Sequence, residues 1–116
     1  MAKEVAPSTG SLYNALCHGT QIKGNIEADR DLRIDGEVEG NVTCGGKVVV
    51  SQTGIITGKI ACVNAEIGGH VVGDILVSEL LTLRTTANIE GDVKTKSLVV
   101  EPSAVFNGTC SMKFET

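Results

Sequence analysis

The sequence predicts an all-β solenoid, a coil of about six short rungs in which each rung stacks on a copy of itself. Three observations predict it. One phrase occurs six times, as Gly24-Asn25-Ile26, Gly40-Asn41-Val42, Gly58-Lys59-Ile60, Gly73-Asp74-Ile75, Gly91-Asp92-Val93 and Gly108-Thr109-Cys110, separated by 16, 18, 15, 18 and 17 residues. An apolar residue stands two places before each glycine, namely Ile22, Val38, Ile56, Val71, Ile89 and Phe106, and residues two apart share one face of a strand. No helical segment is available as a second layer, and a unit of roughly 17 residues buries its apolar face only against its own copies.

Each rung then follows in order. The apolar-x-Gly-x-apolar phrase predicts a short strand, a bend or close approach at the glycine, and further extended chain. A second alternating run comes next, as Leu32/Ile34, Val48/Val50, Val63/Ala65/Ile67, Leu81/Leu83 and Leu98/Val100, so a rung holds two or three strands. Stacking at about 4.8 Å per strand makes a rod roughly 25–30 Å long. It also places Ile22, Val38, Ile56, Val71, Ile89 and Phe106 in one inward ladder, and Ile26, Val42, Ile60, Ile75, Val93 and Cys110 in another. The interleaved residues, among them Lys23, Glu39, Lys59, Asp74, Glu90 and Asp92, are polar and face water. Whether the recurrent glycine turns a corner or marks a narrow inward point is left open by the spacing. The drift from 15 to 18 predicts that one solvent-facing turn changes length.

Composition suits such a coil. Aromatic residues make up 3% of the 116-residue chain, too few for a conventional core but no handicap to stacked Ile, Val and Leu. The net charge is −4 and no run of Lys or Arg occurs, so nothing attracts a nucleic-acid backbone. The N-terminus lacks the layout of a secretion signal, and no apolar stretch approaches the roughly 20 residues that cross a bilayer; the expectation is a cytoplasmic protein. The expected organisation is a flexible tail over 1–20, containing the linker-like Pro7-Ser8-Thr9-Gly10, a core over 21–112 and a short tail over 113–116.

A search for chemistry yields no catalytic, metal or cofactor residues. Cys44 and Cys62 follow their ladder residues by two, where other rungs carry Ala28, Val77, Thr95 and Met112; with Cys110 they read as core fillers. His18 and the Gly68-Gly69-His70 turn read as exposed, and two histidines cannot supply the three ligands of a catalytic zinc. Asp29, Asp31 and Asp35, interrupted by Arg30 and Arg33, read as a solvated face. Glycosylation patterns at Asn41 and Asn107 matter only in a secreted eukaryotic chain. The alternatives kept in view are a trimeric acyltransferase or zinc enzyme on a left-handed β-helix, and a monomeric solenoid adaptor.

The ends of the rod carry the functional expectation. A solenoid without caps exposes the cross-section of its core and unpaired strand edges. Of the aromatics, Phe106 and Phe114 lie on or after the last rung and Tyr13 lies before the first. The end contacts are assigned to Ile22 and Leu32 at one end and to Phe106, Met112 and Phe114 at the other. Straight rods joined end to end give an open filament, one without polarity if like ends meet. Leu12, Tyr13 and Leu16 form a segment that either touches a membrane or folds on the first rung as a cap, and the cap is favoured.

The run Ile22-Lys23-Gly24-Asn25-Ile26 followed by Leu32-Arg33-Ile34-Asp35-Gly36-Glu37-Val38-Glu39-Gly40-Asn41-Val42 resembles the signature of the bactofilins, bacterial polymer-forming cytoskeletal proteins. The resemblance covers about residues 20–112. It implies a right-handed, three-sided parallel β-helix, polymerisation into filaments without nucleotide or other cofactor, and a scaffold role in cell shape, cell-wall synthesis or appendage placement. It further implies that a C-terminal aromatic residue serves polymerisation, with Phe106 the match by rung position and Phe114 its rival. The partners it implies are other copies of the chain, cell-wall enzymes and membrane-associated proteins, at the inner face of the cytoplasmic membrane.

Overall fold

The computed structural model describes residues 13–112. Its strands are β1 (Tyr13–Leu16), β2 (Gln21–Lys23), β3 (Ile26–Ala28), β4 (Asp31–Ile34), β5 (Glu37–Cys44), β6 (Lys47–Val50), β7 (Ile55–Cys62), β8 (Asn64–Ile67), β9 (His70–Leu83), β10 (Asn88–Val100) and β11 (Val105–Ser111). Every pairing between them is parallel.

The pairings sort into three stacks, the sides of a coil. The first side runs β2, β5, β7, β9, β10, β11 through the residues before each recurrent glycine. The second runs β3, β5, β7, β9, β10, β11 through the residues after it. The third runs β1, β4, β6, β8 and the last parts of β9 and β10. Both inward ladders expected from the sequence occur in register, Ile22 on Val38 on Ile56 and Ile26 on Val42 on Ile60, and so to the far end. The third side adds Leu16, Ile34, Val50, Ile67, Leu83, Val100.

Packing follows from branching. Ile34, Ile56, Ile60, Ile67, Ile75, Leu81, Leu83 and Ile89 are all but fully buried, each worth about 1.5–3 kcal/mol against an exposed side chain. Thr95 is a polar exception in this interior. Its hydroxyl donates to the Ser97 carbonyl at 2.9 Å, so the Thr95 oxygen keeps a partner.

The recurrent glycine is the corner between the first and second sides. Gly24, Gly40, Gly58, Gly73, Gly91 and Gly108 have φ between 136 and 147°, where an L side chain is strained. In all but Gly24, a Cβ would also drive into the carbonyl of the glycine one rung below.

Two corners, not one, account for the uneven spacing. The corner from the second to the third side takes two residues in most rungs but one at Val63 and one at Lys96, where the β9–β10 register shifts. Val63 therefore turns the chain and does not continue the Ala65/Ile67 run. The corner from the third side back to the first takes four residues at 17–20, 51–54, 84–87 and 101–104, each closed by a hydrogen bond from the fourth N–H to the first carbonyl. It takes only two at Asp35-Gly36 and Gly68-Gly69. There Gly36 packs down onto the 17–20 turn and Gly69 onto the 51–54 turn, with no space for a Cβ. From above, Thr53 donates to the Asp35 carbonyl at 2.8 Å and Thr86 to that of Gly68 at 2.5 Å.

The stack starts earlier than the expected boundary at residue 21. Asn14 and Leu16 of β1 lie in register with Leu32 and Ile34 of β4, so part of the expected tail is the first layer of the third side. His70 is likewise corrected: it opens β9 and is half-buried, whereas Gly68-Gly69 alone forms the turn.

Candidate polymerisation surfaces

At the N-terminal end β1 has β4 as its one neighbour among the described strands, and β2 and β3 have β5. At the C-terminal end β11 has β10, and the last part of β10 has β9. A strand with one neighbour leaves half of its backbone donors and acceptors unpaired. Among the described residues both ends are therefore open templates.

The core shows through at each end. Leu16, Ile26 and Ala28 are half-buried against the interior at one, and Ile22 joins them. Leu98, Ala104 and Phe106 are half-buried at the other, beside Val100 at 49% exposure and Met112 at 52%. Cys110 caps the second-side ladder and is exposed, whereas Ile75 and Val93 below it are buried.

The structure thus brings Phe106 and Met112 together at one end and places Ile22 at the other. Leu32 is a correction. It is 5% exposed, because β1 lies beneath β4 with Asn14 below Leu32; it belongs to the interior. Leu12 and Phe114 lie outside the described residues, and of Tyr13 only its place in β1 is described. Leu16 packs against the core. Sequence reasoning missed Ile26, Leu98, Val100 and Ala104 at the ends. Their signal was present, since each is the first or last member of an apolar ladder or turn.

The cysteines divide by depth. Cys44 and Cys62 are buried and free, while Cys17 and Cys110 are exposed and free. Burial pushes the Cys62 thiol up to about 12, with Cys44 nearby adding to the effect. It is an inert filler under neutral conditions.

The three sides differ in charge. On the third side and its corner, Lys47 pairs with Glu66 at 3.1 Å, Glu66 with Arg84, and Arg84 with Glu101 at 3.2 Å. Lys47 first, and then Arg84, hold the Glu66 carboxyl below its usual range against the opposing effect of burial. The first side turns Glu37, Glu39 and Glu90 outward with Ile55 and Val72 between them. The second side forms a shallow groove of about 440 Å³ from Lys59 to Ser111, with Ala61, Leu76 and Lys94 on its floor and rim.

Known proteins share this arrangement. The family model of bactofilins, described as polymer-forming cytoskeletal, matches residues 14–111. Bactofilin BacO of Myxococcus xanthus is 33% identical over 91 residues, which are 78% of this chain and 72% of that protein. Bactofilin BacP of the same organism is 29% identical over 111 residues, 96% of this chain but only 46% of that protein's length. Among solved structures, the Thermus thermophilus bactofilin, reconstructed by cryo-electron microscopy as double helical filaments, aligns with a TM-score of 0.80 at 31% identity, over 84% of this chain and 96% of that one. No helix among the described residues is long and apolar enough to cross a membrane. With nearly every rung inside the family match and the same solenoid in a filament-forming relative, this chain belongs to the bactofilin family of polymer-forming cytoskeletal proteins.

Proposed function

We propose that the chain assembles end to end, without nucleotide, into filaments that lack polarity and serve as a non-enzymatic scaffold. The observation that carries the reading is the pair of open ends, each joining a half-covered apolar cross-section to unpaired strand edges. Contact between ends continues the ladders and pairs the edges, so one event satisfies both demands. Phe106 anchors the C-terminal contact with Met112 at the same end, Phe114 being the rival for that role, and Ile22 serves the N-terminal one. Like ends meet in this reading, which makes each junction two-fold symmetric and the filament non-polar.

The reading assigns no reaction and no cofactor to the chain. It places the filament in the cytoplasm, at the inner face of the membrane, as an organiser of cell-wall enzymes or membrane-associated partners in shape or appendage placement. Leu12, Tyr13 and Leu16 act as a cap in this reading, because β1 already pairs with β4.

The test is Phe106→Arg. The variant is expected to keep the β-sheet circular dichroism of the parent and to remain soluble and small on gel filtration, since the residue has a core neighbour on one side only. Filaments in negative-stain micrographs should be lost. Abundant normal filaments from that variant would contradict the end contact. Removal of residues 1–11 should leave assembly intact.

A further inference from the structure

We propose that the second side of the coil is the surface through which two filaments pair, with facing rods antiparallel and flush. The inference rests on the end-to-end reading above and concerns a surface which that reading does not use.

Two outward columns run the length of this side. One holds Asn41, Lys59, Asp74, Asp92 and Thr109, and the other Glu27, Thr43, Ala61, Leu76, Lys94 and Ser111. Lys59 and Asp74 lie in register on the third and fourth rungs. Among the described residues no ion pair or hydrogen bond involves either side chain. Next to them Ala61 and Leu76 are in register, with Leu76 at 44% exposure.

A second copy placed face to face must be related by a two-fold axis lying in the interface, either along the rod or across it. An axis along the rod sets each column against the other at the same level. That places Lys59 on Ala61 and Asp74 on Leu76, charge against apolar surface. An axis across the rod sets each column against itself with the rung order reversed. Centred between the third and fourth rungs, it puts Lys59 opposite Asp74 twice and Ala61 opposite Leu76 twice. Asp92 then faces Asn41, Lys94 faces Thr43, and no like charges meet. That centre is the middle of the six rungs, so the rods overlap along their whole length.

The other sides fail the same operation. On the first it sets Glu39 against Glu90, two acids. On the third it sets Val49 against Glu66, whose carboxylate is already held by Lys47 and Arg84.

Size explains why such pairing belongs to the polymer. A side about 24 Å tall and ~10 Å wide buries far less than the ~800 Å² per partner of a stable dimer. Repetition along a filament multiplies the contact, and successive rods offer it on one flank when the junction axes pass through the second side.

The test uses full-length chains carrying Cys17→Ser and Cys110→Val, one set with Ala61→Cys and one with Leu76→Cys, mixed before assembly and oxidised with copper phenanthroline. The expected product is a covalent dimer of one chain of each kind, in large excess over dimers of either kind alone. Micrographs of Lys59→Asp should show single-width filaments, as should Asp74→Lys, with paired filaments regained when both changes are made in one chain. Equal amounts of all dimers, or paired filaments in both single variants, would overturn the proposal. So would wild-type filaments of single width. Wild-type chains that make no filament at all would instead sink the end-to-end reading and this inference with it.

Discussion

The recurrent glycines show how one residue position can fix a fold. At Gly73 the backbone has φ 136° and a Cβ would meet the Gly58 carbonyl; at Gly24 φ is the same and nothing lies within 4 Å. The pair separates strain from collision. Gly24→Ala is expected to cost about 1–3 kcal/mol of backbone strain. Gly73→Ala carries that cost and the collision, and so several kcal/mol in all; urea denaturation of the two variants measures the difference. Equal losses would show that stacking does not demand the glycine. The thiols give a second residue-scale expectation. Cys17 and Cys110 should react with a maleimide at neutral pH while Cys62, pushed up to about 12 inside the core, stays unmodified. Assembly should then protect Cys110, since it lies in the C-terminal end surface. Unchanged labelling of Cys110 in filaments would place the contact elsewhere.

At the scale of elements, the ladders were legible because apolar alternation survives in every rung. The position of the glycine was not, because a corner and a narrow inward point both tolerate it and only φ distinguishes them. Nor was the first layer of the third side. Tyr13–Leu16 offers one polar residue, Asn14, where the other rungs carry Leu, Val or Ala, so alternation fails just where the stack begins. That layer is also why Leu32 is internal. The spacing drift was visible but was assigned to one turn, because the lengths of two corners vary independently and sequence reports only their sum. The ion-pair ladder, invisible to periodicity, ties four successive layers together through Glu66 and Arg84. Its carboxyl is lowered in the folded chain, so its stabilisation is complete above the ordinary carboxylate range and is lost as pH falls through the folded value. Glu66→Gln should therefore lower stability at pH 7 but shrink the loss seen on acidification to pH 3. An unchanged acid loss would remove Glu66 from the account. The partners are 44–49% exposed, so high salt should weaken the effect.

At the scale of the whole molecule, six rungs with closed sides and open ends leave two directions for growth. In the proposed assembly, end contacts at Phe106, Met112 and Ile22 extend the stack, and the second side pairs one stack with another. The two proposals are separable, because Phe106→Arg is expected to remove the filament whereas Lys59→Asp is expected to remove only its partner. The measurement that bears most directly on the central claim is a cryo-electron microscopy reconstruction of filaments grown without nucleotide. Continuous stacking at about 4.8 Å per strand predicts a rise of about 29 Å per chain, with alternate chains inverted and a repeat near ~58 Å. A polar filament with every chain in one direction, or a closed particle of fixed mass, would contradict it.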